Sequence, residues 1–422
     1  MRRLAVGTLA AVAVACTGCA TGQTGAPSDA STDNATVTGK VISDAGGQVE
    51  YWAEYGSTSA YGSQSGHATI SAAPNALTGV RVSIGGLTRS TLYHYRLCAQ
   101  DGSQRGGPGC GEDRTVRTQA VGCGETVTTD VRLTGDLQCL TGPGLTIGAD
   151  GVDVNLAGHA ILGTIASGGA GPAGVANPDG FDDVTVRNGR ISGMGTMFTA
   201  TGASRNRLIR VDGSAAGTAV SFEGGAENEV RHGDIFGRSQ AVSVLGSQRF
   251  VLADSQLDGF FNGGLALTGP DARILRNRFA RAAGSFPITS ALTVTGERAT
   301  ISDNVVSGPW SAGGIVATGP GHRLIANEVS GATKPDVTPP NDVFGDGIVI
   351  GSFSAGVLVR GNRAHDNGGD GISVQASDVR IGDNSATGNG GFGILAVPGV
   401  TDLGGNTASG NAAGQCANVF CP

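Results

Sequence analysis

A branched aliphatic residue returns along most of this chain at a nearly fixed interval. Val186, Leu208, Val230, Leu252, Ile274, Ile301, Leu324, Val359, Ile381 and Leu403 follow one another at 22 residues in most steps and at longer spacing in three. The residue just before each is mostly polar, as at Arg207, Glu229, Arg273, Arg323, Arg380 and Asp402, with Val251 and Leu358 as exceptions. One side faces in and its neighbour faces out, which is strand geometry. A second column repeats in register: Val220/Phe222, Val242/Val244, Leu265/Leu267, Leu292/Val294, Ile315/Ala317, Ile348/Ile350, Ile372/Val374 and Ile394/Ala396, each pair preceded by Gly or Ala.

Two or three short strands per 22-residue unit predict a solenoid. The unit is too short for a helix-turn-helix repeat, and the Leu-x-x-Leu-x-Leu spacing of leucine-rich repeats is absent. A coil of strands stacked in parallel remains, with about twelve turns. Asn277, Asn304, Asn327, Asn362, Asn384 and Asn406 share one place in successive units, where their amides can bond along the stack. Asn367, Asn389 and Asn411 form a second such set. The fold class expected is all-β. "LTIGADGVDVNLAGHAILG" and "FDDVTVRNGRISG" resemble the opening coils of right-handed parallel β-helix proteins, the pectate-lyase-like superfold and its carbohydrate-binding relatives. The resemblance supplies the handedness and runs over 140–415, within a domain expected at 123–422.

The first third of the chain reads differently. All five tyrosines lie between 51 and 95, and "QVEYWAEYG" alternates large and polar residues as a half-buried strand does. "GGLTRSTLYHYRLCAQDGSQRGGPG" resembles the later strands of fibronectin type III-like sandwiches, which implies a β-sandwich over 36–119. Residues 20–35 are small and polar and are expected as a flexible linker. Residues 1–19 read as a targeting segment, two arginines followed by an apolar run too short to span a bilayer. "ACTGC" resembles the lipobox of bacterial lipoproteins, which implies lipidation of Cys19, or alternatively of Cys16. The expected location is therefore outside the cytoplasm, on the cell envelope through a lipid or free in the medium.

Export makes disulfides available. Six further cysteines allow fifteen pairings. The local pairs Cys98/Cys110, Cys123/Cys139 and Cys416/Cys421 are favoured because each closes one small loop, the last two near the ends of the solenoid. Glycine is abundant, 73 of 422 residues against a usual share of about 7%, without a Gly-X-Y period, as fits many short strands and turns. A net charge of −7 without a basic tract argues against nucleic acid as a partner. The chain is expected to be a monomer.

Candidate chemistry lies where the repeat breaks. The column two residues before the second inward pair carries only two carboxylates, Asp346 and Asp370, on adjacent coils. Stacking brings them to about 5 Å, where one pKa rises or a cation binds. Beside them the 35-residue step holds the surplus "GATKPDVTPPNDVFGDG", and insertions in solenoids collect on the binding face. Asp342, Asp346, Asp366 and Asp370 are the candidate ligands of a calcium ion, the one cofactor considered. Asp346, Asp370, Arg360, Lys334 and His365 are the candidate acid/base groups of a carbohydrate-active enzyme. Trp310 is a candidate sugar platform. Mannuronan-epimerase-like sites use a tyrosine, and residues 123–422 contain none. The reading reached is a surface protein binding polysaccharide without catalysis. A lyase- or epimerase-like enzyme and a structural adhesin are the alternatives.

Overall fold

The computed structural model describes residues 19–102, 107–140, 142–164, 171–259, 261–280, 290–334 and 344–422. They contain strands and turns and no helix. The chain divides into two compact units, at Ala120/Val121.

The N-terminal unit is one nine-stranded sheet, antiparallel but for the contact of Ala20–Ala30 with Gly109–Cys110. Val37, Val41, Ile84, Tyr95 and Leu97, from both arms of the sheet, meet in one core, the arrangement of a small β-sandwich. Cys98 and Cys110 are neighbours across two strands and are joined by a disulfide. The linker expected at 20–35 is corrected here: Ala20–Ala30 is a strand paired along Asn34–Ser43. Its small residues reflect crowding, since a Cβ at Gly22 would collide with the Leu97 carbonyl. Pro27, which has no N–H to give, sits where the register shifts.

The second unit is a parallel solenoid. Each full coil gives one strand to a thirteen-stranded sheet, from Thr126–Val127 to Gly414–Ala417, and two to a twenty-two-stranded sheet. The second inward column pairs coil to coil as the period demands, for example Val220 with Val242 and Ile348 with Ile372, and all sixteen of its side chains are buried. The first column is buried from Val186 to Ile381. Leu403 departs from it and is 49% exposed. Ile381 pairs with Asp402, a slip of one residue in the last coil, and a slip of one turns a side chain to the other face.

The asparagine ladders form. Asn277, Asn304, Asn327, Asn362 and Asn384 each donate a side-chain N–H to the side-chain oxygen of the next, at 2.9–3.0 Å. That same oxygen accepts the backbone N–H of the preceding asparagine, so each rung satisfies two donors that water cannot reach. Asn367, Asn389 and Asn411 repeat the device at the other bend. Outside, Asp183, Arg205, Glu227, Arg249, Asp271 and Arg298 all take positive φ at equivalent bends of successive coils. Their charges alternate, and Arg205–Asp183, Arg249–Glu227 and Arg298–Asp271 are ion pairs of 2.7–3.0 Å. Cys123–Cys139 and Cys416–Cys421 are disulfides near the two ends of the solenoid.

Candidate functional site

The bend before the thirteen-stranded sheet positions the acidic pair. Asp346 Oδ1 accepts the backbone N–H of Asp370 at 2.7 Å, and Asp370 Oδ1 accepts that of Phe392 at 2.6 Å. Each carboxylate thus caps the coil above, as the asparagines do. Glycine is required opposite them, because a Cβ at Gly369 would meet Asp346 Oδ1 and one at Gly391 would meet Asp370 Oδ1.

Asp346 is 1% exposed and its Oδ2 has no hydrogen-bond partner, although the Ser373 hydroxyl lies close enough to favour the charged form. Burial first, and the Asp370 charge second, push its carboxyl up to about 7. Burial likewise raises Asp370, while the Lys334 charge pulls both down. Lys334 therefore does converge on the pair.

The other candidates do not. The Arg360 guanidinium pairs with Asp383 at 2.8 Å on the twenty-two-stranded sheet. His365, on that same sheet, bonds Asp366 Oδ2 through Nδ1 at 2.7 Å and Glu328 through Nε2 at 3.1 Å. Their sequence neighbourhood misled because strand ends within one coil face different sides. Asp342 and Asp336 lie outside the described residues. The calcium set is not assembled by those described: Asp366 is turned to His365, and both Oδ1 atoms of the pair hold backbone N–H groups. The only group of three potential metal-ligating side chains close enough to share an ion, among the described residues, is Glu54 with the disulfide Cys98–Cys110, whose sulfurs are already bonded to each other. Trp310 is fully buried, its Nε1 donating to the Ser307 carbonyl at 3.3 Å, so it is a core residue. His322 is a ladder residue: Nδ1 accepts from the Ala299 N–H and Nε2 faces the Thr318 carbonyl, with burial lowering its pKa.

A surface feature elsewhere went unread in the sequence. The outward column of the thirteen-stranded sheet runs Thr199, Ser221, Ser243 in register. Beside it Thr196, Thr218, Ser239, Arg238 and Phe261 edge an open groove of about 540 Å³. Arg238 stands over the Phe261 ring, 5.9 Å from its centroid, and Phe261 is 42% exposed. The signal was present as hydroxyls between the inward pairs at one period.

The family model described as "Right handed beta helix region" matches residues 173–331 and 289–419, together more than half of the 422. The chain belongs to this right-handed β-helix family. No curated protein matches it in sequence. Solved structures similar to it include the mannuronan C-5 epimerase AlgE6 A-module of Azotobacter vinelandii, at 14% identity over 71% of this chain and 91% of that one, TM-score 0.47. Pectate lyase Pel9A is similar at 10% identity, 69% and 80% coverage and TM-score 0.38. PfbA, a surface adhesin of Streptococcus pneumoniae, is similar at 9% identity, 70% and 84% coverage and TM-score 0.32.

Proposed function

We propose that this is an exported surface protein whose β-helix binds a polysaccharide, without cleaving it, on the outer face of the thirteen-stranded sheet. The observation that carries the reading is the groove edged by Thr196, Thr218, Arg238, Ser239 and Phe261 and floored by Thr199 and Ser221. Sugars offer hydroxyls and apolar C–H faces. Short side-chain hydroxyls on rigid strands match the first, and an exposed ring backed by a guanidinium matches the second. The sandwich unit acts as a spacer of the fibronectin type III kind. Lipidation at Cys19, or at Cys16, anchors the chain. A glycan array on the folded chain tests the proposal. Binding that is lost in Arg238→Ala/Phe261→Ala supports it, and a blank array or an unaffected variant overturns it.

One observation favours a second reading, a carbohydrate-active enzyme. Asp346 holds its proton near neutrality beside Lys334, as a general acid must. A lyase and hydrolase panel decides: turnover abolished in Asp346→Asn establishes it, and no turnover on any polysaccharide that binds removes it.

A further inference from the structure

We propose that a second face of the solenoid, on the twenty-two-stranded sheet, binds a linear anionic polysaccharide through Arg273, Arg323 and Arg380. The three occupy one outward column. Arg273 pairs with Thr300, Thr300 with Arg323, Arg323 with Leu358, and Leu358 with Arg380. Five consecutive coils therefore read Arg, Thr, Arg, Leu, Arg, with cations on every second coil. At about 4.8 Å per coil the guanidinium stems stand roughly 10 Å apart along a straight line.

All three arginines are exposed, and among the described residues no carboxylate or other side chain pairs with their guanidinium groups. Other arginines of this unit are neutralised. Arg187, Arg205, Arg249, Arg276, Arg298 and Arg360 each hold a carboxylate at 2.7–3.0 Å. In the upstream part of the same column Arg207 faces Glu229, so the charge is offset there and not from Arg273 onward. The nearby acids are committed elsewhere. Asp271 pairs with Arg298, Glu328 with His365, and an Asp378 oxygen accepts the Gly356 N–H. The unpaired Asp303 lies on the bend beside Arg276, whose pKa it raises.

A periodic row of unpaired cations on a rigid sheet fits a ligand with periodic charge. A polysaccharide of alternating uronate and neutral sugars, one carboxylate per disaccharide, repeats on this length scale, and each carboxylate can take a bidentate guanidinium. Strands fix the row in advance, so little ordering is lost on binding. This face does not depend on the groove of Arg238 and Phe261, and the two readings fail separately.

The test uses the full chain and hyaluronan oligomers as the probe, with dextran as the neutral control, by calorimetry. Arg273→Gln/Arg323→Gln/Arg380→Gln should lose about tenfold in affinity for hyaluronan, and wild-type binding should weaken from about 50 to about 200 mM salt. Arg205→Gln/Arg249→Gln/Arg298→Gln removes the same charge from paired positions and should keep its affinity. Thermal melting of both triple variants checks that they fold. No hyaluronan binding by the wild type, an equal loss in both triples, or equal retention on duplex DNA overturns the proposal.

Discussion

The two halves of the solenoid are held together differently. From Asp183 to Arg298 the bends carry an alternating row of charges outside, and three phenylalanines meet inside: Phe198 with Phe222 and Phe222 with Phe250, each at 5.5 Å between ring centroids. From Asn277 to Asn411 a buried amide ladder runs through successive coils, where the first half has only the shorter rungs of Asn206, Asn228 and Ser255. The same backbone period thus serves two chemistries. Exposed ion pairs are screened and contribute little, whereas a buried amide rung cannot be removed without orphaning its neighbours. Around one continuous aliphatic core, the first half should lean more on aromatic packing and the second more on polar satisfaction.

The largest effect is expected inside the first half. Phe222→Ala removes a ring that touches two others and should cost about 4 kcal/mol in urea unfolding. In the second half, Asn327→Ala strands the Asn304 backbone N–H, one of the two N–H groups of the Asn304 side chain and the Ile301 carbonyl, and should cost about 3 kcal/mol. If Asn327→Ala were neutral, the amide ladder would be ornament and the contrast would fall.

Asp346 sharpens the comparison, because it is the rung made from an acid. Its pKa is raised in the folded chain to about 7, so the folded state binds this proton more tightly than the unfolded state does. Stability from this group is full below the ordinary carboxylate range and falls as pH rises toward 7. Asp346→Asn keeps an acceptor for the Asp370 N–H and should flatten that fall by on the order of 1 kcal/mol or more between about pH 5 and about pH 8. Parallel curves for variant and wild type would show that burial does not tax the charge. The smallest effect belongs to the outer row. Arg249→Ala should cost less than about 1 kcal/mol, and less still in high salt.

Burial and register were legible in the sequence wherever one side chain per coil decides the face. Sixteen residues of the second inward column could be placed because Gly or Ala and a strict two-residue step mark them. Leu403 could not, because Thr401–Asp402 pairs with the preceding strand one residue out of register. Residues 20–30 were misread because small polar composition describes a loose tether and a crowded edge strand equally well. The site was less legible. Asp346 and Asp370 stack as their shared column implies, and Lys334 reaches them from the insertion beside that column. Arg360, His365 and Asp366 are as near in sequence and yet Arg360 turns to Asp383, and His365 to Glu328 and Asp366, because each bend in a coil redirects the next strand. The outer row of Asp183, Arg205, Glu227, Arg249, Asp271 and Arg298 shares the period but carries no apolar mark, so a search for hydrophobic columns passes over it.

The most direct test of the proposed binding function is amide hydrogen exchange on the full chain, with and without a polysaccharide that it retains. The account predicts that protection concentrates on the strands Thr196–Thr201, Thr218–Glu223 and Gln240–Leu245 and at Phe261. Protection confined to 344–392, around Asp346 and Asp370, would contradict it and move the function to the acidic bend.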